Sequence, residues 1–254
     1  MCILKPLCIA FSIYSKIPVP QFQWEEEDMK SMLCFFPWIG IVIGALMFCW
    51  FMAADKLGVS SLGSTLVGTA IPLLVTGGFH VDGFMDTMDA FHSYQPKQKK
   101  LEILKDPHMG AFSVIMLAVY GLLFLGALSE VQDTDLIVIV CAGFVLSRVL
   151  SGIGVVSFPS AKIDGLLFTF ASNAHKNRVK LSLYVQGIFT VLFMLSQSLG
   201  AGCMATITAL GIFLYYDRKC KKELGGITGD TAGYFVCICE LGILLVSAVI
   251  NIWR

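Results

Sequence analysis

The chain has 254 residues, of which 56% are hydrophobic and 14% charged, with a mean hydropathy of +0.78; soluble domains carry roughly 25% charged residues. That composition excludes an ordinary water-soluble domain. A formal net charge of zero, from 18 basic and 18 acidic residues, excludes a global field that would attract nucleic acid, so no nucleic-acid partner is expected.

The apolar N-terminal run 2–13 carries Lys5 and is interrupted afterwards by Pro18 and Pro20, with no small-residue cleavage site. It is therefore expected to stay in the mature protein as an interfacial or re-entrant helix rather than act as a signal peptide. Seven segments then approach the roughly 20 apolar residues needed to cross a bilayer: 33–54, 59–77, 111–131, 136–158, 181–200, a shorter 203–216, and 232–253. The fifth and sixth are separated by a turn near Gly200 and Gly202. Fifteen of the eighteen Lys and Arg residues fall on one side of this arrangement, Lys56 and Arg254 fall on the other, and Arg148 lies inside the fourth span. This bias places the N-terminus in the cytoplasm. The expected fold is all-α, a single polytopic membrane bundle over residues 1–254 of about seven spans. The lipid bilayer is its environment, and the sequence is compatible with a homo-oligomer.

Nine cysteines, mostly inside apolar runs and without paired metal-ligand spacing, read as reduced small hydrophobes. Cys237 and Cys239, two apart on a helix, face different directions, so zinc is not expected there.

The informative polar segment is Val75-Thr-Gly-Gly-Phe-His-Val-Asp-Gly-Phe-Met-Asp-Thr-Met-Asp-Ala90. Asp82, Asp86 and Asp89, at i, i+4 and i+7, share one helical face at the cytoplasmic end of the second span. Three like charges on a stripe repel unless a cation neutralises them. Oxygen-only ligands suit Mg²⁺ or Mn²⁺, with substrate phosphate completing the shell. The alternative is a solvated helix end beyond the membrane surface; Gly77, Gly78 and Gly83 weigh against it, because clustered glycines admit a ligand close to the backbone. His80 is a candidate general base or phosphate donor, or else a hydrogen-bonded structural residue. Asp106-Pro107 can open the third span, with Asp106 as its cap. Arg148, costly in lipid, is expected to face the bundle interior and pair with a carboxylate or a substrate phosphate.

The second constellation is Glu223-Leu-Gly-Gly-Ile-Thr-Gly-Asp-Thr-Ala-Gly233, at the start of the last span. Gly225, Gly226, Thr228 and Gly229 present backbone and hydroxyl donors where phosphate binds readily. The segment lacks the G-K-[ST] of a Walker motif. Asp230 is a helix cap, a fourth metal ligand, or both. Glu240, deeper in that span, needs a polar partner or a proton.

In these residues the chain resembles the cobalamin synthase family, the adenosylcobinamide-GDP ribazoletransferases. The shared elements are Pro18-Val-Pro20, Phe36-Pro-Trp-Ile-Gly40, the ordered G-G-x-H-x-D-G-x-x-D-T-x-D, Leu104-Lys-Asp-Pro-His-Met-Gly110, and Gly225-Gly-Ile-Thr-Gly-Asp230. Two departures stand out. Ser15-Lys16 replaces the family's frequent Thr-Arg, which weakens bidentate phosphate contact, and Lys162-Ile-Asp-Gly-Leu-Leu167 replaces an arginine-bearing stretch. The resemblance implies a Mg²⁺-dependent multi-pass enzyme of the bacterial cytoplasmic (inner) membrane, with its active site facing the cytoplasm. Such an enzyme transfers adenosylcobinamide phosphate from its GDP-activated form to α-ribazole or ribazole 5′-phosphate and releases GMP. It assigns Asp82, Asp86, Asp89 and then Asp230 to the metal. His80 or a free aspartate accepts the proton, and Lys16, Arg148 and the Gly225–Asp230 turn hold phosphate. Two other readings compete. A CDP-alcohol phosphotransferase also clusters aspartates at a membrane helix end, although Met85-Asp86 stands here where that family has Ala-Arg. A transporter would place its carboxylates near the midplane.

Overall fold

The computed structural model describes residues 4–20, 23–161 and 175–253. They form helices throughout, α1 (Leu4–Tyr14), α2 (Glu26–Met29), a 3₁₀ turn (Met32–Phe35), α3 (Phe36–Lys56), α4 (Ser61–Thr76), α5 (Phe79–His92), α6 (Lys97–Ile103), α7 (Ala111–Glu130), α8 (Thr134–Ser157), α9 (Lys176–Gln197), α10 (Leu199–Glu223) and α11 (Gly229–Ile252). Extended pairing among them is limited to one parallel bridge, between Ser160 and Ile227. Six helices are long and apolar enough to cross a membrane, and a seventh span arises if the bent pair α4 and α5 counts as one. The expected all-α bundle of about seven spans is the architecture found.

α8 is the axis of the bundle. Its residues are buried along nearly the whole length, whereas α9 and α10 present Leu181, Ile188, Phe189, Leu192, Ile207 and Leu214 outward. Apolar side chains exposed on this scale are unstable in water and at home in lipid. Gly40 and Gly44, four residues apart on α3, let that helix approach α8 closely, since a β-carbon at either would collide with the Phe144 or Cys141 carbonyl. Small residues at this spacing are a common way for membrane helices to pack.

Two expected boundaries move. The reversal between the fifth and sixth spans is at Ser198, whose extended backbone ends α9 and whose side chain caps α10. Gly200 and Gly202 lie inside α10; a β-carbon on Gly202 would stand 2.7 Å from the Met194 carbonyl, so glycine there serves close packing rather than turning. α10 itself runs for 25 residues, because Arg218, Lys219, Lys221 and Lys222 continue the helix beyond its apolar part. α1, at 11 residues, is too short to span a bilayer, and it tucks Ile9 and Ala10 into the core.

The second span breaks where the motif begins. α4 ends at Thr76, Gly77 (φ 62°) and Gly78 (φ 78°) both take the left-handed conformation, and α5 leaves at 92°. Two consecutive left-handed residues are cheap only for glycine. The aspartate helix is thereby turned out of line with α4 and laid against α7 and α11.

Candidate active site at the crossing of the aspartate helix and the glycine turn

α5 crosses the start of α11 at two glycines. A β-carbon on Gly83 would stand 2.7 Å from the Asp230 carbonyl oxygen and 2.9 Å from its Cα, and one on Gly233 would stand 2.9 Å from the His80 carbonyl oxygen. The two motifs, about 150 residues apart in the chain, are therefore in backbone contact. Asp82 and Asp86, one residue before and three residues after Gly83, lie about 40° apart on a face of α5 that is turned about 60–100° from Gly83. Asp82 is exposed; Asp86 and Asp230 are half-buried.

The glycine turn is held from three sides. Gly226 accepts no side chain against Pro159, and the Ala161 and Ile227 N–H groups donate to the Ile227 and Pro159 carbonyls at 2.8 and 2.9 Å. Lys100 and Glu223 form an ion pair at 2.5 Å that is largely removed from solvent and ties α6 to the end of α10. Gly225 (φ 88°) lies under Lys97, whose ammonium would be 3.2 Å from a β-carbon there. Thr228 is buried and caps α11 in a reciprocal pair: its hydroxyl accepts from the Thr231 N–H at 3.2 Å while Thr231 Oγ1 accepts from the Thr228 N–H at 2.8 Å. Its hydroxyl is thus occupied by helix capping, and Gly225 and Gly229 are the exposed members of the turn.

On the other flank of α5 a cavity of about 470 Å³ opens between Ser15, Lys16, Gly77, Gly78 and Asp82. The Lys16 stem lies over Gly77, and the Lys16 N–H donates to the Val75 carbonyl at 2.8 Å. This pins α1 to the break in the second span and sets the exposed ammonium of Lys16 and the carboxylate of Asp82 on one rim.

Three sequence-derived site residues lie elsewhere. Asp89, on the same stripe as Asp82 and Asp86, accepts from the Gly110 N–H at 2.5 Å and the Ser113 N–H at 2.9 Å. It caps α7 from another helix, a role the sequence had offered to Asp106. Asp106 instead accepts the His108 amide at 2.9 Å and contacts its ring at 2.7 Å, which hold its carboxyl below the usual carboxylate range. Arg148, fully buried, pairs with Glu240 Oε1 at 2.6 Å, and Ser147 adds a hydrogen bond to the same oxygen. Arg148 and Glu240 thus supply the partners each was expected to need. His80 is buried in an aromatic box of Tyr14, Phe36 and Phe79, with ring centroids 5.5 to 6.2 Å away, and neither ring nitrogen has a hydrogen-bond partner among the described residues. Among those residues no three His, Cys, Asp or Glu side chains gather as a metal cage. Lys162 and Asp164 lie outside the described residues.

The sequence did not single out Lys97, or the pairing of Lys100 with Glu223. The four-lysine loop was the available signal, but the charge pattern served there only to orient the chain.

The profile of cobalamin-5-phosphate synthase matches residues 6–248. The chain belongs to that family. A relative from Lachnoclostridium phytofermentans, an adenosylcobinamide-GDP ribazoletransferase, is 46% identical over 238 residues, covering 94% of this chain and 91% of its own. Relatives of the same name from Clostridium perfringens and Mesorhizobium japonicum are 33% and 26% identical, each over 96% of this chain and 98% and 92% of their own. No solved structure matches. As a multi-pass member of the family, the chain carries the aspartate helix and the glycine turn next to two segments rich in Lys, α6 and the end of α10.

Proposed function

We propose that this protein transfers adenosylcobinamide phosphate from adenosylcobinamide-GDP to a free ribose hydroxyl of α-ribazole or ribazole 5′-phosphate, at a mouth that faces the cytoplasm of a bacterial inner-membrane protein. The observation that carries the reading is the contact of Gly83 with Asp230, which joins the two polar motifs of a chain in this family. The basic segments around the mouth support the orientation, because Lys and Arg are enriched on the cytoplasmic side.

Displacement at phosphorus depends on positioning and charge neutralisation more than on a strong nucleophile. The acceptor oxygen forms a new bond to the corrinoid-bearing phosphorus, the bond from that phosphorus to the bridging oxygen breaks, and GMP leaves with the electron pair. The oxygen donors nearest the crossing are Asp82 and Asp86 on α5 and Asp230 on α11; they do not form a three-carboxylate cage, but Mg²⁺ typically takes one or two carboxylates and completes its shell with phosphate and water, so one or two of them would hold it. Bound there, Mg²⁺ supplies neutralisation of the pyrophosphate charge. The Lys16 ammonium and the exposed Gly229 end of α11 hold phosphate oxygens. A carboxylate oxygen left free of metal accepts the hydroxyl proton, since His80 is enclosed by aromatic rings. Asp89 has no part in this reading, because both its oxygens serve α7.

The test is product analysis by mass spectrometry on purified protein in nanodiscs, supplied with adenosylcobinamide-GDP and α-ribazole, with and without Mg²⁺. Cobalamin should form with Mg²⁺ and cease with EDTA. Absence of product under both conditions removes the transferase reading, and undiminished product in EDTA removes the metal. A CDP-activated alcohol offered as donor should be left intact.

A further inference from the structure

Below the mouth lies a second cavity of about 200 Å³, enclosed by α4, α5, α7, α8 and α11. Its walls are mostly apolar, from Leu73, Leu117 and Phe124, and it shares Thr76 and Val81 with the mouth. The Thr69 and Thr76 hydroxyls in its wall donate to their own helix, and the other polar side chains that line it are His80, Tyr120, Arg148 and Glu240. Both ring nitrogens of His80 and Nε of Arg148 are buried without a hydrogen-bond partner among the described residues. A buried donor or acceptor left unmade costs about 1–3 kcal/mol, so three such atoms around one cavity point to an occupant that completes them.

We infer that this cavity receives the aromatic base of the acceptor nucleoside, with the ribose at the shared Thr76 and Val81 wall to set its reacting hydroxyl at the mouth beside Asp82. The inference rests on the transferase reading and adds the acceptor's binding site to it. Size supports a bicyclic base: the space equals several waters at about 30 Å³ each, far too little for a corrinoid. Chemistry separates it from guanine, whose edge carries several donors and acceptors that would stay unpaired against Leu and Phe walls. A mostly apolar base with one acceptor nitrogen loses little there and gains a hydrogen bond from the His80 ring or Arg148 Nε.

Gly121 gives a clean test. It lines the cavity on α7, and a β-carbon placed there meets nothing within 4 Å. The first carbon of a side chain there meets no clash, and Gly121→Leu adds bulk at the cavity wall. Gly126, on the same helix, has equally free space and does not line it, so Gly126→Leu is the matched control. Steady-state kinetics in nanodiscs, varying α-ribazole and adenosylcobinamide-GDP separately, should show KM for α-ribazole raised about tenfold or more by Gly121→Leu. KM for the GDP-corrinoid and the thermal midpoint should be unchanged, and Gly126→Leu should leave all three alone. Leu117→Trp should repeat the effect, and equilibrium dialysis of α-ribazole alone should show the same loss. An unchanged acceptor KM in both filled variants, or an equal rise for both substrates, overturns the assignment while leaving the transferase reading intact. Failure of the wild-type protein to turn over overturns the transferase reading and this inference with it.

Discussion

Gly83→Ala probes the contact on which the site is built. The added carbon would stand 2.7 Å from the Asp230 carbonyl oxygen and 2.9 Å from its Cα. Comfortable contacts lie at about 3.5–4.0 Å, so the crossing of α5 and α11 must open by roughly 0.8 Å. Both opposing atoms are backbone, so no side chain can swing aside. Overpacking of this kind costs about 1–3 kcal/mol, offset by about 1 kcal/mol from replacing glycine with alanine in a helix. The net loss of stability is then no more than about 2 kcal/mol, and the protein should still insert. Catalysis should suffer more, because a misplacement on the order of 1 Å can cost about a hundredfold. We expect kcat to fall between about tenfold and a hundredfold, measured by chromatographic detection of cobalamin from nanodisc-embedded protein alongside the thermal midpoint. Gly211→Ala, where a β-carbon meets nothing within 4 Å, is the control and should match wild type. Full kcat in Gly83→Ala would refute the claim that this crossing positions the reacting groups.

The two ends of the aspartate stripe should separate on mutation. Asp82→Asn should abolish product at an unchanged thermal midpoint, whereas Asp89→Ala should lower stability by about 1–2 kcal/mol through loss of the α7 cap and keep measurable turnover; the reverse pattern would restore Asp89 to the catalytic centre. Glu240→Ala strands a buried guanidinium and should cost about 3–5 kcal/mol, while the double variant Arg148→Met with Glu240→Leu should recover most of that in thermal unfolding. Turnover should persist in the double variant with a raised acceptor KM, and a selective loss of GDP-corrinoid binding instead would put Arg148 on the phosphate.

The reach of the sequence is clearest at α5. Spacing alone put Asp82, Asp86 and Asp89 on one helical face, and all three lie on α5. Spacing could not say what that face meets. The stripe is about 60° wide and about 10 Å long, enough for its two ends to touch different helices, and so Asp89 faces the amides of α7 while Asp82 faces the mouth. Asp106 shows the same limit from the other side. An Asp-Pro pair is a good local signal for a helix start, yet α7 begins later at Ala111 with a cap supplied from a different helix.

Hydropathy, the Lys and Arg asymmetry and the ordered polar motifs determined the membrane bundle, the number of spans and the family, because each is a property of residue type and spacing along one chain. The partners were decided by the tertiary structure. It chose Glu240 for Arg148, left His80 enclosed in aromatic rings, turned α5 by 92° at two left-handed glycines, and pressed Gly83 onto Asp230. Apart from the local break at Gly77 and Gly78, each of these is a contact between segments far apart in sequence. Its energy depends on interhelical distance and on what else satisfies the buried polar group, and neither is encoded in local periodicity.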